Sequence, residues 1–480
     1  MTYSLSRSAT YLIALVYCIF ITACRTEPSS SENDAKPNIV FILIDDLGWA
    51  DLSCYGNTFH QTPNIDKLAS RGMLFTDAYA PSAVCSPSRA AIMSGQYPAR
   101  VGMTDFIPGH WRPYERLTVP INRTQHLPLE EETFAEALKQ EGYTTGYYGK
   151  WHLGWGEFAP EHQGFDDVAV SSGWGHFFPP VKTTPDRGLP EGTYLADGLT
   201  TLAEDFITAN RDTNFLLVLA HFAVHVPLEA KEEKIAKYAN YTGKGNGVNN
   251  PTYAAMLESV DESVGRIVAK LEELGLTDNT AIFFFSDNGG LRQIFDKRDD
   301  IIVTNNAPLR DEKGTIYEGG IRVPMLAVWP GHIPAGSRSA EPVDGVDLFP
   351  TFCEIAGLPE ANWPDKLDGK SLLPELTAQA GLDREALYFH YPHYHHSTPA
   401  SAIRVGDYKL IEFLEDHHLE LYDLSKDIGE SHDLSIELPQ LRDSLYQQLQ
   451  NWQRSVNAPM PTDNPDFDPS RRLEWGKHPG

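Results

Sequence analysis

Two oxygen-rich clusters in this sequence stand directly after apolar runs. Asp45-Asp46 follow the run from Asn38 to Ile44, and Ser286-Asp287-Asn288-Gly289 follow the run from Ala281 to Phe285. Either cluster alone reads as a helix cap or a turn. Two of them after two buried strands deliver three carboxylates and an amide to one sheet edge, an oxygen donor set that suits a hard cation such as Ca2+ or Mg2+. Cys85 begins the segment Cys85-Ser86-Pro87-Ser88-Arg89-Ala90-Ala91-Ile92-Met93-Ser94-Gly95. Pro87 near its start and Gly95 at its end bracket a short helix, which puts Cys85 at the N-terminus, where unpaired amides and the dipole favour an anion. Lys150 and His152 are two residues apart, so an extended chain turns both to one side. In isolation such a pair is most often a solvated edge.

The eleven residues from Cys85 to Gly95 match throughout the signature of the type I sulfatases, in which Cys-x-Pro-Ser-Arg is read by a maturation enzyme that oxidises the Cys to formylglycine. The stretch Gly142 to His152, Gly-Tyr-Thr-Thr-Gly-Tyr-Tyr-Gly-Lys-Trp-His, resembles the second signature of the same family. In His221-Phe-Ala-Val-His225-Val-Pro227 the residue aligned with the family's active-site His is His225, two before the Pro, and His221 is a decoy. Lys313 to Pro324 resembles the family's Lys-Gly segment, although the preceding Asp311-Glu312 departs from the small residues of that pattern and leaves the pairing of Lys313 open.

The resemblance runs from Pro37 to Asp433, and it implies an α/β fold of the alkaline-phosphatase type. It assigns Cys85, with Arg89 four residues on, as the precursor of the nucleophile. Lys150 would hold a sulfate oxygen and His152 would orient or deprotonate the formylglycine hydroxyl. His225 would bind sulfate or protonate the leaving alcohol, and Lys313 would sit on the sulfate and leaving oxygen. One Ca2+ would be held by Asp45, Asp46, Asp287, Asn288 and the residue derived from Cys85. A hydrated aldehyde is useful because it has two hydroxyls: one takes the sulfuryl group, and deprotonation of the other expels sulfate by C–O cleavage. A thiol or a simple alcohol would keep the group.

The elements that must position these residues are legible as well. The runs Asn38 to Ile44, Phe215 to Ala220 and Ala281 to Phe285 are short, apolar and rich in β-branched or aromatic types, so they predict strands buried on both faces. Helical patterns at Leu129 to Glu141 and Tyr253 to Leu274 alternate with them, which predicts a large, mostly parallel sheet flanked by helices, with ligands at the carboxyl ends of its strands. After about Gly369 short alternating segments, Ser401 to Phe413 and His418 to Tyr422, precede a helical stretch from Pro439 to Arg454, predicting a small antiparallel sheet with a helix. The expected organisation is a catalytic domain over 37–369 and a C-terminal subdomain over 370–480 ending in a surface tail from Met460.

Residues 1–23 read as a signal peptide whose end, Ile21-Thr22-Ala23-Cys24, resembles the bacterial lipobox, with Cys24 as lipidation site and 24–36 as a flexible tether. A bacterial cell-envelope enzyme, lipid-anchored in the outer membrane, is expected. Cys54, Cys85 and Cys353 make no disulfide framework, and Cys54 and Cys353 read as free thiols.

The chain carries 39 basic and 66 acidic residues, a formal charge of -27. That field repels polyanions, which excludes nucleic acid and leaves the lipid anchor as the expected membrane contact. An anionic substrate must be captured locally. Asp45, Asp46 and Asp287 balance Arg89, Lys150 and Lys313, so a bound divalent cation leaves the pocket at about +2.

The expected activity is hydrolysis of sulfate esters on a sulfated carbohydrate, an algal polysaccharide or a glycosaminoglycan. The rival readings are a phosphodiesterase or phosphonate monoester hydrolase of the same superfamily, and a lipoprotein that binds sulfated glycans without turnover. The cluster Tyr391-Pro392-His393-Tyr394-His395-His396 is either a transition-metal site or solvated surface, or it reaches over the strand ends with His393 or His395 on a sugar hydroxyl. His176, in Trp174-Gly175-His176, and the segment His110-Trp111-Arg112 would form the opposite wall.

Overall fold

The computed structural model describes residues 36–172, 175–177, 182–293 and 302–477. The signal peptide, Cys24, the tether up to residue 35 and Trp174 lie outside them. Among the described residues no helix is long and apolar enough to cross a membrane.

A mixed nine-stranded sheet forms the centre. Its strands are β1 Asn38–Ile44, β2 Met73–Phe75, β3 Thr144–Gly149, β4 Asp167–Ser172, β5 Lys182–Thr184, β6 Phe215–His221, β7 Thr280–Ser286, β8 Met325–Val328 and β9 Ser337–Ser339. They lie in the order β9-β2-β8-β7-β1-β6-β3-β4-β5. The central five, β7 to β4 in that order, are parallel, and β8 and β5 flank them antiparallel.

The alternation along β1 divides the interior in two. Ile39, Phe41 and Leu43 join one core with Phe134 and Phe352, while Val40, Ile42 and Ile44 join the other with Leu199, Phe206, Met256 and Val260. Each such side chain, once buried, contributes about 1.5–3 kcal/mol before entropy is counted. This two-sided burial is why the strand sequences read as unbroken apolar runs.

The C-terminal part is an antiparallel meander of β10 Leu387–Tyr391, β11 Ala400–Val405, β12 Tyr408–Phe413 and β13 Leu419–Asp423. One face packs Ile403, Leu410 and Leu421 against Leu445, Leu449 and Trp452 of the helix Pro439–Ser455. The other places Phe389, Ala402 and Ile411 in one cluster with Val84, Ile316 and Ile321, so the small sheet supports the chain just before Cys85 and just after Lys313.

Three stretches depart from the sequence reading by more than a residue or two at an end. The helix expected over Leu129 to Glu141 is Phe134–Gln140, because Thr133 caps it and exchanges hydrogen bonds with Glu136. The alternating stretch from Ser401 to Phe413 is two strands joined at Gly406, whose φ of 55° makes the turn. The tail is not merely extended: Thr462–Asp463 pairs with Leu117–Thr118 and the Gly476 amide donates to the Trp111 carbonyl. Cys54 and Cys353 are free thiols.

Candidate active site

Four neighbouring strands end at one edge, and each supplies part of the site. β7 leads to Asp287 and Asn288, β1 to Asp45 and Asp46, β6 to His225, and β3 to Lys150 and His152. Cys85 opens the helix Cys85–Ser94, whose C-cap Gly95 takes a left-handed φ of 66°. All of these except His152 are at most 8% exposed.

Cys85 Sγ lies 3.4 Å from Asp45 Oδ1, 3.8 Å from Asp46 Oδ1 and 3.3 Å from Lys313 Nζ. Burial pushes the thiol up against the opposing pull of Lys150 and Lys313, so unmodified it stays protonated and is a poor nucleophile. Lys150 Nζ donates to Asp45 Oδ2 (2.5 Å) and Lys313 Nζ to Asp46 Oδ1 (2.6 Å). Burial, the largest influence, works against the charge on both lysines, but Asp45 at Lys150 and Asp46 at Lys313, together with the other acidic groups of the site, outweigh it and raise both. Arg89, fully buried, donates from Nε to Asp287 Oδ2 (2.8 Å) and from Nη1 to the Lys150 carbonyl (2.7 Å), tying two strand ends to the Cys85 helix.

Asp45, Asp46, Cys85 and His225 each present a donor atom within 4.8 Å of the others. Asp287 and Asn288, expected as ligands, border this group: the Asp46 amide donates to Asp287 Oδ1 (3.1 Å) and Asn288 Nδ2 donates to Asp46 Oδ1 (2.8 Å). Asp46 Oδ2 and Asn288 Oδ1 are buried without a hydrogen-bond partner. Burial and the neighbouring Asp45 push Asp287 up to about 7. Crowded carboxylates and orphaned oxygens are what a hard divalent cation relieves, so these residues fit one.

The two histidines of the signatures are held by backbone. His152 Nε2 donates to the Ile107 carbonyl (2.7 Å), which leaves Nδ1 as the basic nitrogen, and Nδ1 is buried with no partner. Its φ is 59°, so the strand alternation invoked for Lys150 and His152 does not apply; β3 has already ended at Gly149, and the two line one cavity for another reason. His225 Nδ1 donates to the Val226 carbonyl (2.5 Å), and its Nε2 lies 3.6 Å from Asp46 Oδ2. Burial pulls His225 down to about 4 against Asp46. His221 hydrogen-bonds Ser263 Oγ instead, inside the core, as expected of the decoy.

The pairing of Lys313 is settled by the chain before it. Glu312 accepts from the Arg292 and Gln293 amides (2.6 and 2.8 Å), so its carboxylate is engaged there and Lys313 turns to Asp46.

The histidines expected on the sugar are buried. His393 is 2% exposed and bonded to Thr104 Oγ1, and His176 is 1% exposed and bonded to the His225 carbonyl. Both are held as buried anchors by these bonds. The loop does reach the strand ends, but as packing: His396 Nδ1 donates to the Lys313 carbonyl, and His395 fills the space above Gly314 so closely that a Cβ there would lie 1.9 Å from its Nδ1. His393 and His395 are therefore not solvated surface. His110 stacks on His395 at 4.9 Å, and Arg112 and His110 pack on Trp475 of the tail.

Sequence reasoning missed the Ile107 carbonyl that orients His152 and the Ser86 hydroxyl that accepts from the Ile107 amide (3.1 Å). A backbone carbonyl leaves no signal in residue type, whereas Ser86 lies inside the signature itself. It also missed Phe222, stacked between His176 and His225 and 5.5 Å from Lys150 Nζ.

Comparison with known proteins agrees with this geometry. Residues 37–358 match the family model described as Sulfatase, and 311–455 match the model described as N-sulphoglucosamine sulphohydrolase, C-terminal. Human arylsulfatase A is 35% identical over 452 residues, covering 83% of each chain. A sulfatase of Formosa agariphila is 32% identical, covering 90% of this chain and 91% of its own. The crystal structure of Ps i-CgsB in complex with k-i-k-neocarrahexaose superposes with a TM-score of 0.74 at 31% identity, covering 90% of this chain and 94% of that one. With these matches over the same strand ends and the same Cys85 helix, the chain belongs to the type I sulfatase family, and it is a sulfuric ester hydrolase on the alkaline-phosphatase-like fold.

Proposed function

We propose that this sulfatase removes sulfate from a sulfated carbohydrate, using formylglycine made from Cys85 and one calcium ion. The observation that carries the reading is the position of Cys85 Sγ, between Asp45 at 3.4 Å and Lys313 at 3.3 Å and beside the orphaned oxygens of Asp46 and Asn288. Sγ stands in for a hydroxyl of the hydrated aldehyde. Asp45, Asp46, Asp287, Asn288 and residue 85 would hold the cation, with His225 beside them. When bound, the aldehyde supplies a pair of hydroxyls and the ion supplies double positive charge for the reacting oxygens.

The chain's own residues divide the remaining work. Lys150 and Lys313 hold positive charge where sulfate oxygens arrive, and each is kept charged by its Asp partner. Arg89 fixes Asp287 and the backbone of Lys150, so the charged groups are set before substrate binds. His152, with Nε2 committed to the Ile107 carbonyl, receives a proton at Nδ1. His225, with Nδ1 committed to Val226 and burial keeping the ring neutral, presents an unprotonated Nε2 that takes up a proton before passing one to the leaving alcohol.

The carbohydrate assignment is supported by relatives. N-acetylgalactosamine-6-sulfatase of Rattus norvegicus is 34% identical over 78% of this chain, and Ps i-CgsB is solved with a neocarrahexaose. Among the described residues His225 is the one imidazole within metal-binding distance of the carboxylates, which favours a hard cation over the His-rich transition-metal sites of the rival hydrolases. Sulfate release from a panel of carrageenan and glycosaminoglycan oligosaccharides tests the reading. Turnover of one class supports it; turnover of aryl sulfates or phosphodiesters with none of the saccharides refutes it.

A further inference from the structure

A cavity of about 460 Å³ opens beside the catalytic edge and runs from Lys150 and His152 past Phe222 to Trp155. Its two ends differ in exposure: Lys150 is 7% exposed, and Trp155 is 74% exposed. The volume falls within the usual range of small-ligand sites, about 300–1,000 Å³, and the walls follow their pattern of apolar surface with a few polar groups, here Ser171 and Glu161.

Trp155 is presented on a fixed turn. The preceding Gly154 has a φ of 108°, and a Cβ there would lie 2.6 Å from His126 and 2.8 Å from Phe158, so the chain crosses this point only as glycine. Extended backbone at Trp155 then leads into the short helical turn Gly156–Phe158. The neighbouring Trp151 is buried and donates to the Phe158 carbonyl, which anchors the turn from below. A rigid indole left in water at the mouth of a cavity is a binding anchor that loses little freedom when covered.

The charge of the cavity wall is equally specific. Lys150, its one lysine or arginine among the described lining residues, is already paired with Asp45, and Glu161 adds a carboxylate. Among the described lining residues no further lysine or arginine offers charge to a second sulfate.

We propose that this cavity is a subsite for an unsulfated pyranose linked to the sulfated residue, with Trp155 stacking on the apolar face of that ring. The inference rests on the carbohydrate reading above and narrows it: the preferred substrate is an oligosaccharide in which the sugar beside the cleaved sulfate is neutral.

The test compares three substrates on the matured, calcium-loaded enzyme: 4-nitrophenyl sulfate, a sulfated monosaccharide such as N-acetylgalactosamine 6-sulfate, and tetrasaccharides carrying that same sulfate with the neighbouring sugar unsulfated or sulfated. Trp155→Ala is expected to lower kcat/KM on the tetrasaccharide with a neutral neighbour by about tenfold or more, and on the monosaccharide by less than about twofold. Trp155→Phe, which keeps a ring, is expected to retain most of the tetrasaccharide activity. Equal losses on monosaccharide and tetrasaccharide, or no loss on either, overturn the subsite. Equal turnover of tetrasaccharides with sulfated and unsulfated neighbours overturns its neutrality. A wild type that cleaves 4-nitrophenyl sulfate and none of the saccharides overturns the carbohydrate reading, and the subsite with it.

Discussion

Replacing Lys409 by Met removes a buried cation that joins the C-terminal sheet to the catalytic loop. Lys409 is fully buried on β12; its Nζ donates to the Ile316 carbonyl (2.7 Å) and Glu318 Oε1 (2.9 Å) and lies 2.8 Å from Glu430 Oε1. Glu318 keeps a second partner in Arg322 (2.6 Å), so it stays ionised in the variant. Glu430 does not: burial already pushes it up to about 7, and Lys409 is the cation that opposes this. The sign follows directly. A carboxyl whose folded pKa is raised stabilises the fold at low pH and loses that contribution as pH rises through the folded pKa. Without Lys409 the folded pKa moves above 7, so the loss continues to higher pH in the variant than in the wild type. Breaking a buried pair costs about 3–5 kcal/mol when the partner remains charged. Between pH 6 and pH 8.5 the destabilisation should grow by up to about 2 kcal/mol, the 1.36 kcal/mol per pH unit accrued above pH 7. Urea unfolding of Lys409→Met and wild type at both pH values measures this, and Lys409→Met/Glu430→Gln should remove the pH dependence. A destabilisation that is larger at pH 6 than at pH 8.5, or independent of pH, refutes the reasoning.

Removal of metal by chelation should abolish turnover and Ca2+ should restore it, while Asp46→Ala should weaken calcium binding measured by titration calorimetry, since it deletes a charged donor and the orphaned Oδ2. His395→Ala should lower kcat on 4-nitrophenyl sulfate and on an oligosaccharide alike, by roughly tenfold, because it opens a gap above Gly314 beside Lys313; a loss confined to the oligosaccharide would return His395 to the sugar. Arg89→Lys should lose at least about 2 kcal/mol of stability, read from chemical unfolding, because a lysine cannot bond Asp287 and the Lys150 carbonyl together.

The central strands were legible because burial on both faces leaves no polar interruption: β1 matches its apolar run, and β7 extends the run from Ala281 to Phe285 by one polar residue at each end, where backbone pairing continues. The strand ends then locate Asp45, Asp46 and Asp287 without further information. The start of the helix at Phe134 was written in Thr133 and Glu136, a capping pair that an apolar pattern beginning at Leu129 obscures. The roles of the C-terminal histidines were not legible. A His-rich loop is polar by composition, and only the packing of His395 on Gly314 and of His393 on Thr104 shows that it is buried. Likewise the left-handed backbone at Asp46 and His152 depends on the loops around them, not on residue type.

The proposed chemistry turns on residue 85, which is 2% exposed and whose thiol is held protonated by burial. Peptide mass spectrometry of the segment containing Cys85, on enzyme produced with graded levels of a formylglycine-generating maturation enzyme, can be set against inorganic sulfate released from 4-nitrophenyl sulfate by the same preparations. Turnover is expected in proportion to the fraction of residue 85 present as aldehyde or its hydrate, with none from Cys85→Ala. Full turnover by protein whose residue 85 is an unmodified thiol would contradict it.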